Sequence, residues 1–435
     1  MSEVRVGPAG RVAGAVTVPG DKSISHRALI LGALARGRSY LGNLSPAADV
    51  ASTGECLRLC GGSVRPFGAG RVSLDGGGAR GALSSPPAPL DCGNSGTTMR
   101  LLAGVLAGHD VEAVLDGDSS LRRRPMTRVA EPLTAMGAEA ETTPEGTAPL
   151  RLRGRARLRA IDYRPAVASA QLKSAVLLAG LSADGPVRVI EPSPSRDHTE
   201  RLLRLCGVSV SSGADGVRVL PGPLEPFGLH IPGDLSSAAF FLALAAARPG
   251  WRVVCPGVTL NPGRTGVLEV LAAMGAEVTV DAGEPAGGVE PVGTVTVAGA
   301  RLHGTVIAGA LVPRCIDEIP VLAVLATQAE GRCEIRDAGE LRVKESDRIA
   351  LLADGLRSLG AGCEETPDGL VVEGPARLRA ARLEAHGDHR LAMAWAVAAA
   401  LVPPGGGESA IAGAGCAAVS YPRFFDDLAT LLGRG

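Results

Sequence analysis

The chain of 435 residues carries three lysines, Lys22, Lys173 and Lys344, although Lys and Arg together number 44. Where arginine serves nearly every cationic position, a retained lysine marks a place that needs a compact ammonium rather than a planar guanidinium. All three lie in dense polar clusters: Asp21-Lys22-Ser23-Ile24-Ser25-His26-Arg27, Ser169-Ala170-Gln171-Leu172-Lys173-Ser174 and Val343-Lys344-Glu345-Ser346-Asp347-Arg348. Four more clusters have the same character: Asn94-Ser95-Gly96-Thr97-Thr98, Arg122-Arg123-Arg124-Pro125-Met126, Asp317-Glu318 and Asp388-His389-Arg390. Guanidinium forks match carboxylates and phosphates, and a glycine lets a ligand approach the backbone. The chemistry these residues suit is the handling of small polyanions.

Each cluster also has a plain structural reading. Lys22 is not a P-loop lysine, because Asp21 stands where that motif needs glycine; Ser23 or Ser25 would serve as an ordinary helix cap. Asn94 or Ser95 is equally explained by capping, but Gly96 in a first helical turn costs about 1 kcal/mol and is harder to explain structurally. A run such as Arg122 to Arg124 is usually a solvated face, and two of its three arginines are read as that alone. Arg151, Arg153, Arg155, Arg157 and Arg159 alternate like the exposed face of a hairpin and receive no function. Asp317-Glu318 suits a helix amino terminus, and Lys344 to Arg348 an i, i+4 ladder on an exposed helix.

The elements that carry these clusters repeat. An amphipathic helix ends in an apolar residue and then glycine at Gly61, Gly137, Gly207, Gly275, Gly360 and Gly433, the placement of a left-handed cap. A second, alanine-rich helix series starts from Ser25, Ser95, Ser169, Ser236, Asp317 and Asp388, at intervals of 70, 74, 67, 81 and 71 residues. Two interleaved series of one period mean a repeated unit of strand, helix, strand, helix and hairpin. The second-series helices are apolar nearly all round, so they are expected to be buried, with polar amino ends whose free N–H groups and dipoles make an anion trap. The chain opens on a hairpin-like Val4 to Val18 with no helix before it, and Gly433 ends a helix with no hairpin after it. The expected domains are therefore 1–20 plus 231–435, and 21–230, with a hinge near 20 and 231–233.

Size agrees with two domains, since single cores stop growing beyond about 250 residues. A balance of 44 basic against 45 acidic residues and 3% aromatics argue against nucleic-acid binding. Nine cysteines without a C-x-x-C pair, and no His/Cys cluster at zinc spacing, point to neither a disulfide framework nor a metal site. No signal-length apolar stretch opens the sequence, and the longest apolar run, Leu391 to Val402, is short of the ~20 residues of a membrane helix. The expectation is a cytoplasmic monomer with no nucleic-acid or membrane partner.

In this order the clusters closely resemble the 5-enolpyruvylshikimate-3-phosphate synthase family of enolpyruvyl transferases. The resemblance runs from Val16-Thr17-Val18-Pro19-Gly20-Asp21-Lys22-Ser23 through Gly93-Asn94-Ser95-Gly96-Thr97-Thr98, Arg124-Pro125-Met126, Ser169-Ala170-Gln171, Ser195-Arg196-Asp197-His198-Thr199-Glu200, Asp317-Glu318-Ile319-Pro320 and Lys344-Glu345-Ser346-Asp347-Arg348 to Asp388-His389-Arg390. It implies an α/β fold, a two-domain inside-out α/β barrel of six β-α-β-α-β-β repeats, three per domain, with buried parallel helices. It implies transfer of the enolpyruvyl group of phosphoenolpyruvate to the 5-hydroxyl of shikimate 3-phosphate, with release of phosphate and without metal or organic cofactor.

Carried over position by position, the resemblance gives shikimate 3-phosphate to Lys22, Ser23, Arg27, Ser169, Ala170, Gln171, Ser195, Asp317 and Lys344. It gives phosphoenolpyruvate to Lys22, Gly96, Arg124, Gln171, Arg348 and Arg390. Asp317 is expected as base, Glu345 as acid, and Lys22 as a sharer in either proton transfer. Unsubstituted Gly96 implies sensitivity to glyphosate. Three positions depart from the family pattern: Ala170 where a second serine is common, Val419 where many members have lysine, and Glu340 where some have asparagine. The sibling UDP-N-acetylglucosamine enolpyruvyl transferases place a reactive cysteine within the loop matching Leu121 to Met126 and Lys-Asn at Lys22-Ser23; neither is present. A paralogue serving a specialised pathway is the other alternative.

Overall fold

The computed structural model describes residues 3–66, 68–78 and 83–433. The chain divides into two compact units, one of Gly20–Ile231 with Pro285–Glu290, the other of Met1–Pro19, Pro232–Glu284 and Pro291–Gly435. Each has its own apolar core. Among the described residues the strands form five four-stranded sheets and one three-stranded sheet.

One plan recurs in every sheet. A parallel pair is followed by an antiparallel strand, as in Leu90–Asp91 beside Glu112–Asp116 and then Leu150–Arg153. The helix Gly96–Ala107 makes the crossover between the parallel strands, the connection such pairs require. Equivalent helices are Lys22–Leu34, Ala170–Gly180, Leu235–Ala246, Ile319–Ala326 and His389–Leu401. Their sequences have little polar surface, and every residue of the last three is buried. Small residues allow close approach: a Cβ on Gly104 would lie 2.2 Å from the Ala175 carbonyl oxygen of the neighbouring inner helix. The outer helices end at Gly61, Gly137, Gly207, Gly275, Gly360 and Gly433, all at positive φ between 68° and 105°, so the glycine signal marks six left-handed caps.

The first sheet of each unit borrows a strand from far along the chain. Gly228–His230 pairs in parallel with Tyr40–Gly42, and Ala13–Ala15 with Arg252–Val254. The expected amino-terminal hairpin does not form. Glu3–Val6 instead pairs antiparallel with Ser409–Ala412, so the two early strands enter different sheets and each fills an otherwise open edge. The Ala9 amide between them donates to the Ala400 carbonyl at 2.8 Å.

A segment that the sequence did not mark, Pro285–Glu290, belongs to the Gly20–Ile231 unit. There Glu290 meets His198 Nδ1 at 3.0 Å and the Val289 carbonyl accepts from Arg201 at 2.8 Å.

Candidate active site

In the Gly20–Ile231 unit three inner helices open on capped amino ends. Asp21 Oδ1 accepts from the Ile24 amide at 2.8 Å, Ser95 Oγ from Thr98 at 3.0 Å and Ser169 Oγ from Leu172 at 3.4 Å. The first cap is thus Asp21, not Ser23 or Ser25, and Lys22 is the first helical residue. The helix bodies are buried while Lys22, Ser23, Thr97, Ala170 and Gln171 are half-buried at the openings.

Side chains stitch the three openings together. His26 Nδ1 meets Thr53 Oγ1 at 2.7 Å, Thr53 meets Thr98 at 2.7 Å, and Thr98 donates to Ser95 at 2.7 Å. Gln171 Nε2 donates to Thr97 at 2.9 Å, and Arg27 Nη2 to Ser174 at 2.8 Å. Burial, with Lys22 and Arg27 nearby, holds the His26 pKa well below its ordinary value, so this chain runs through a neutral imidazole.

Cations surround these openings. Lys22 Nζ pairs with Asp49 at 2.9 Å. Arg27 is fixed by Thr199 Oγ1 at 2.7 Å and the Ser23 carbonyl at 2.9 Å; burial lowers its pKa to about 10, against Glu200 and Asp21, which raise it. Arg124 is 8% exposed and donates to Asn94 Oδ1 at 2.7 Å. Its neighbours face solvent, Arg122 on Asp116 at 2.5 Å and Arg123 on the Ser119 carbonyl at 2.9 Å. Arg100 donates to Gln171 Oε1 and, at 3.1 Å, to the Pro125 carbonyl. Gly96 lies between guanidinium groups: a Cβ there would be 2.9 Å from Arg100 Nη1 and 3.3 Å from Arg124 Nη1.

Ser169 and Ser195 share one carboxylate. Glu191 Oε1 accepts from the Ser169 amide at 3.0 Å, and Oε2 from Ser195 Oγ at 2.8 Å.

In the other unit the inner helices open at Asp234, Glu318 and Asp388. Here too the openings are joined. Ser236 Oγ donates to Glu318; Arg390 Nη1 lies 3.8 Å from Glu318 and donates to the Ser236 carbonyl at 3.4 Å. Arg264, 3% exposed, donates to Asp234 at 2.8 Å and Ser236 Oγ at 2.6 Å.

The predicted residues Asp317, Lys344, Glu345 and Arg348 come together around Arg348, 1% exposed. Its Nε and Nη2 reach Asp388 at 2.8 and 3.2 Å, and Nη2 reaches Glu345 at 2.6 Å. Its Nη1 has no hydrogen-bond partner among the described residues and stands 3.7 Å from Asp317 Oδ1, which Lys344 approaches at 3.6 Å. Burial alone would lower the Arg348 pKa, but Asp388, Glu345 and Asp317 outweigh it and hold it above the ordinary value. The exposed-helix ladder is excluded: the helix starts at Arg348, capped by Asp347, and Lys344 precedes it. Asp317 likewise precedes its helix, whose cap is Glu318.

Sequence reasoning gave no role to Asp49, Arg100, Glu191 and Arg264. Arg100 had a usable signal, since it stands four residues beyond Gly96 and so on the same helix face, and Glu191 stands four before Ser195; Asp49 and Arg264 are long-range partners. Among the described residues no three His, Cys, Asp or Glu side chains gather into a possible metal site, and no helix is long and apolar enough to cross a membrane.

A family model described as EPSP synthase (3-phosphoshikimate 1-carboxyvinyltransferase) matches residues 6–428. A 3-phosphoshikimate 1-carboxyvinyltransferase of Roseiflexus sp. (strain RS-1) is 49% identical over 433 residues, 98% of each chain. The solved EPSP synthase of Acinetobacter baumannii is 40% identical and superposes with a TM-score of 0.87 over 99% of this chain and 98% of that one. The enolpyruvyl transferase NikO of Streptomyces tendae, at 19% identity and a TM-score of 0.78 over 98% of this chain and 96% of that one, shares the fold.

Proposed function

Because the chain belongs to the EPSP synthase (3-phosphoshikimate 1-carboxyvinyltransferase) family, we propose that the two sets of helix openings hold its substrates and carry out its proton transfers. The reaction joins the enolpyruvyl group of phosphoenolpyruvate to the 5-hydroxyl of shikimate 3-phosphate, in the shikimate route to aromatic amino acids. Ser23, Arg27 and Gln171 take the shikimate ring and carboxylate, and Ser169, Ser195 and the Ala170 amide its phosphate. Lys22, the Gly96 amide, Arg124, Arg348 and Arg390 take phosphoenolpyruvate, with Gln171 between the ligands and Lys344 touching both.

The observation that carries the proton chemistry is the buried Arg348 with a carboxylate on either side, Asp317 at Nη1 and Glu345 at Nη2. Asp317 removes the 5-hydroxyl proton as the oxygen bonds to C2 of phosphoenolpyruvate, and Glu345 delivers a proton to the methylene carbon. The tetrahedral intermediate then expels phosphate while the methyl group returns a proton, restoring the double bond. Lys22 shares in one of the transfers. Positioned cations stabilise the developing charge.

The test is phosphate release from phosphoenolpyruvate with shikimate 3-phosphate, shikimate or UDP-N-acetylglucosamine as acceptor. Turnover with the first is expected to exceed the others by orders of magnitude, and a preference for either of the others would overturn the assignment. Gly96 provides a second check. Its replacement by alanine pushes the Arg100 and Arg124 guanidinium groups aside. The expected result is a rise of about tenfold in the KM for phosphoenolpyruvate, about 1.4 kcal/mol, with that for shikimate 3-phosphate unchanged. An unaltered phosphoenolpyruvate KM would remove Gly96 from that site.

We also take the protein to be a cytoplasmic monomer. All nine cysteines are free thiols, and the exposed large hydrophobics, Tyr40, Val167, Leu220, Val280, Val306 and Val343, are scattered singly along the chain. A dimer on sedimentation would count against this.

A further inference from the structure

Lys173 is the one lysine that the proposed reaction leaves unused, yet it is the most buried of the three, 2% exposed. Its ammonium forms ion pairs with Glu200 Oε1 at 2.8 Å and Glu191 Oε2 at 3.0 Å and donates to the Ser195 carbonyl at 3.3 Å. A compact ammonium fits between the two carboxylates and the carbonyl. Burial lowers the Lys173 pKa, but the two carboxylates outweigh it and hold it above the ordinary value, so the group is charged.

The Glu191 carboxylate beside it does specific work. One oxygen takes the Ser169 amide at the mouth of the Ala170–Gly180 helix, and the other takes the Ser195 hydroxyl. Its side chain is only 6% exposed, so solvent screens it little. A phosphate that accepts from the Ser195 hydroxyl must settle next to the carboxylate that this hydroxyl now serves. Without a neutralising cation the two anions would repel.

We propose that Lys173 is a positioning residue for the phosphate of shikimate 3-phosphate: it cancels the charge of Glu191, which aims Ser169 and Ser195, and so lets a dianion bind beside a buried carboxylate. The proposal rests on the assignment of those two serines to the phosphate made above. A second link holds the same frame, since Ser174 Oγ meets Thr199 Oγ1 at 2.6 Å next to the Lys173–Glu200 pair.

Calorimetric titration of the full chain with shikimate 3-phosphate provides the test. Lys173→Met is expected to weaken binding about 100-fold, while the KM for phosphoenolpyruvate stays at the wild-type value. Adding Glu191→Gln removes the uncompensated charge that lies against Ser169 and Ser195, leaving that of Glu200, and keeps an acceptor for Ser169; it is expected to recover about tenfold or more of that loss. A double variant no better than the single one would mean a structural role and overturn the proposal. Should Lys173→Met fail to fold, Glu191→Gln alone decides: it should bind shikimate 3-phosphate at least as tightly as the wild type, and a loss of about tenfold overturns the proposal. Ser195→Ala and Ser169→Ala separate the two ideas. If they weaken binding and Lys173→Met does not, the positioning role fails and the phosphate assignment stands. If neither changes the titration, the phosphate assignment fails and this inference with it.

Discussion

Replacing Asp388 by alanine is expected to destabilise the unit of Met1–Pro19, Pro232–Glu284 and Pro291–Gly435 by about 4 kcal/mol, within the range found when one partner of a buried ion pair is removed. Asp388 is fully buried and serves several donors at once. It takes Arg348 Nε at 2.8 Å, Ser346 Oγ at 3.0 Å and the Arg390 amide at 2.9 Å as the cap of the His389–Leu401 helix. Loss of a cap alone costs about 1 kcal/mol; the larger part is the Arg348 charge left in a buried place. Asp388→Asn separates the two, since the amide can still cap but no longer neutralises. Urea unfolding at pH 7 gives the reading, and a destabilisation below about 1 kcal/mol for alanine would show that the pair does not hold these openings. The pH sign follows from the raised Arg348 pKa. A raised cation contributes stability that is fully present below its unfolded value and lost only as pH rises through the folded one, so neutral and mildly alkaline measurements should agree.

The second large effect concerns turnover. Glu345→Gln keeps a side chain within reach of Arg348 but holds no transferable proton, so kcat should fall about 1000-fold, within the range assigned to general acid catalysis. Both KM values should change far less than kcat, because Arg348 keeps Asp388 as its partner. Run in deuterium oxide, the wild-type enzyme should place solvent deuterium in the methyl group of the intermediate, and the variant should do so at the same reduced rate as turnover. Near-normal kcat, or a change confined to KM, would remove Glu345 as the acid and leave it as a partner that orients Arg348.

What could be read in the sequence was local or periodic. The glycines after the outer helices needed only an apolar residue before them, and all six adopt the left-handed conformation. The uninterrupted apolar runs at 238–247 and 391–402 announced burial on every side. What remained hidden depends on distance along the chain. Asp49 meets Lys22 across 27 positions, Arg100 meets Gln171 across 71, and Glu290 meets His198 across 92; no spacing rule reaches so far. The cap at Asp21 was missed for a different reason: serines dominate that segment, but the helix starts earlier, and the carboxylate two places before Ser23 takes the Ile24 amide. The false hairpin near the start came from reading two strands as partners because they are neighbours. Their hydrogen bonds are claimed by strands made much later.

That last pairing has a consequence for biogenesis. Glu3–Val6 leaves the ribosome roughly four hundred residues before Ser409–Ala412, its antiparallel neighbour. At about 5–20 residues per second the early strand waits on the order of half a minute with its backbone unclaimed. Gly20–Ile231 can meanwhile mature as a largely contiguous block, needing Gly228–His230 to complete its first sheet. The nascent chain therefore carries a folded middle behind a sticky leading edge, and that edge is where holdase chaperones would find purchase.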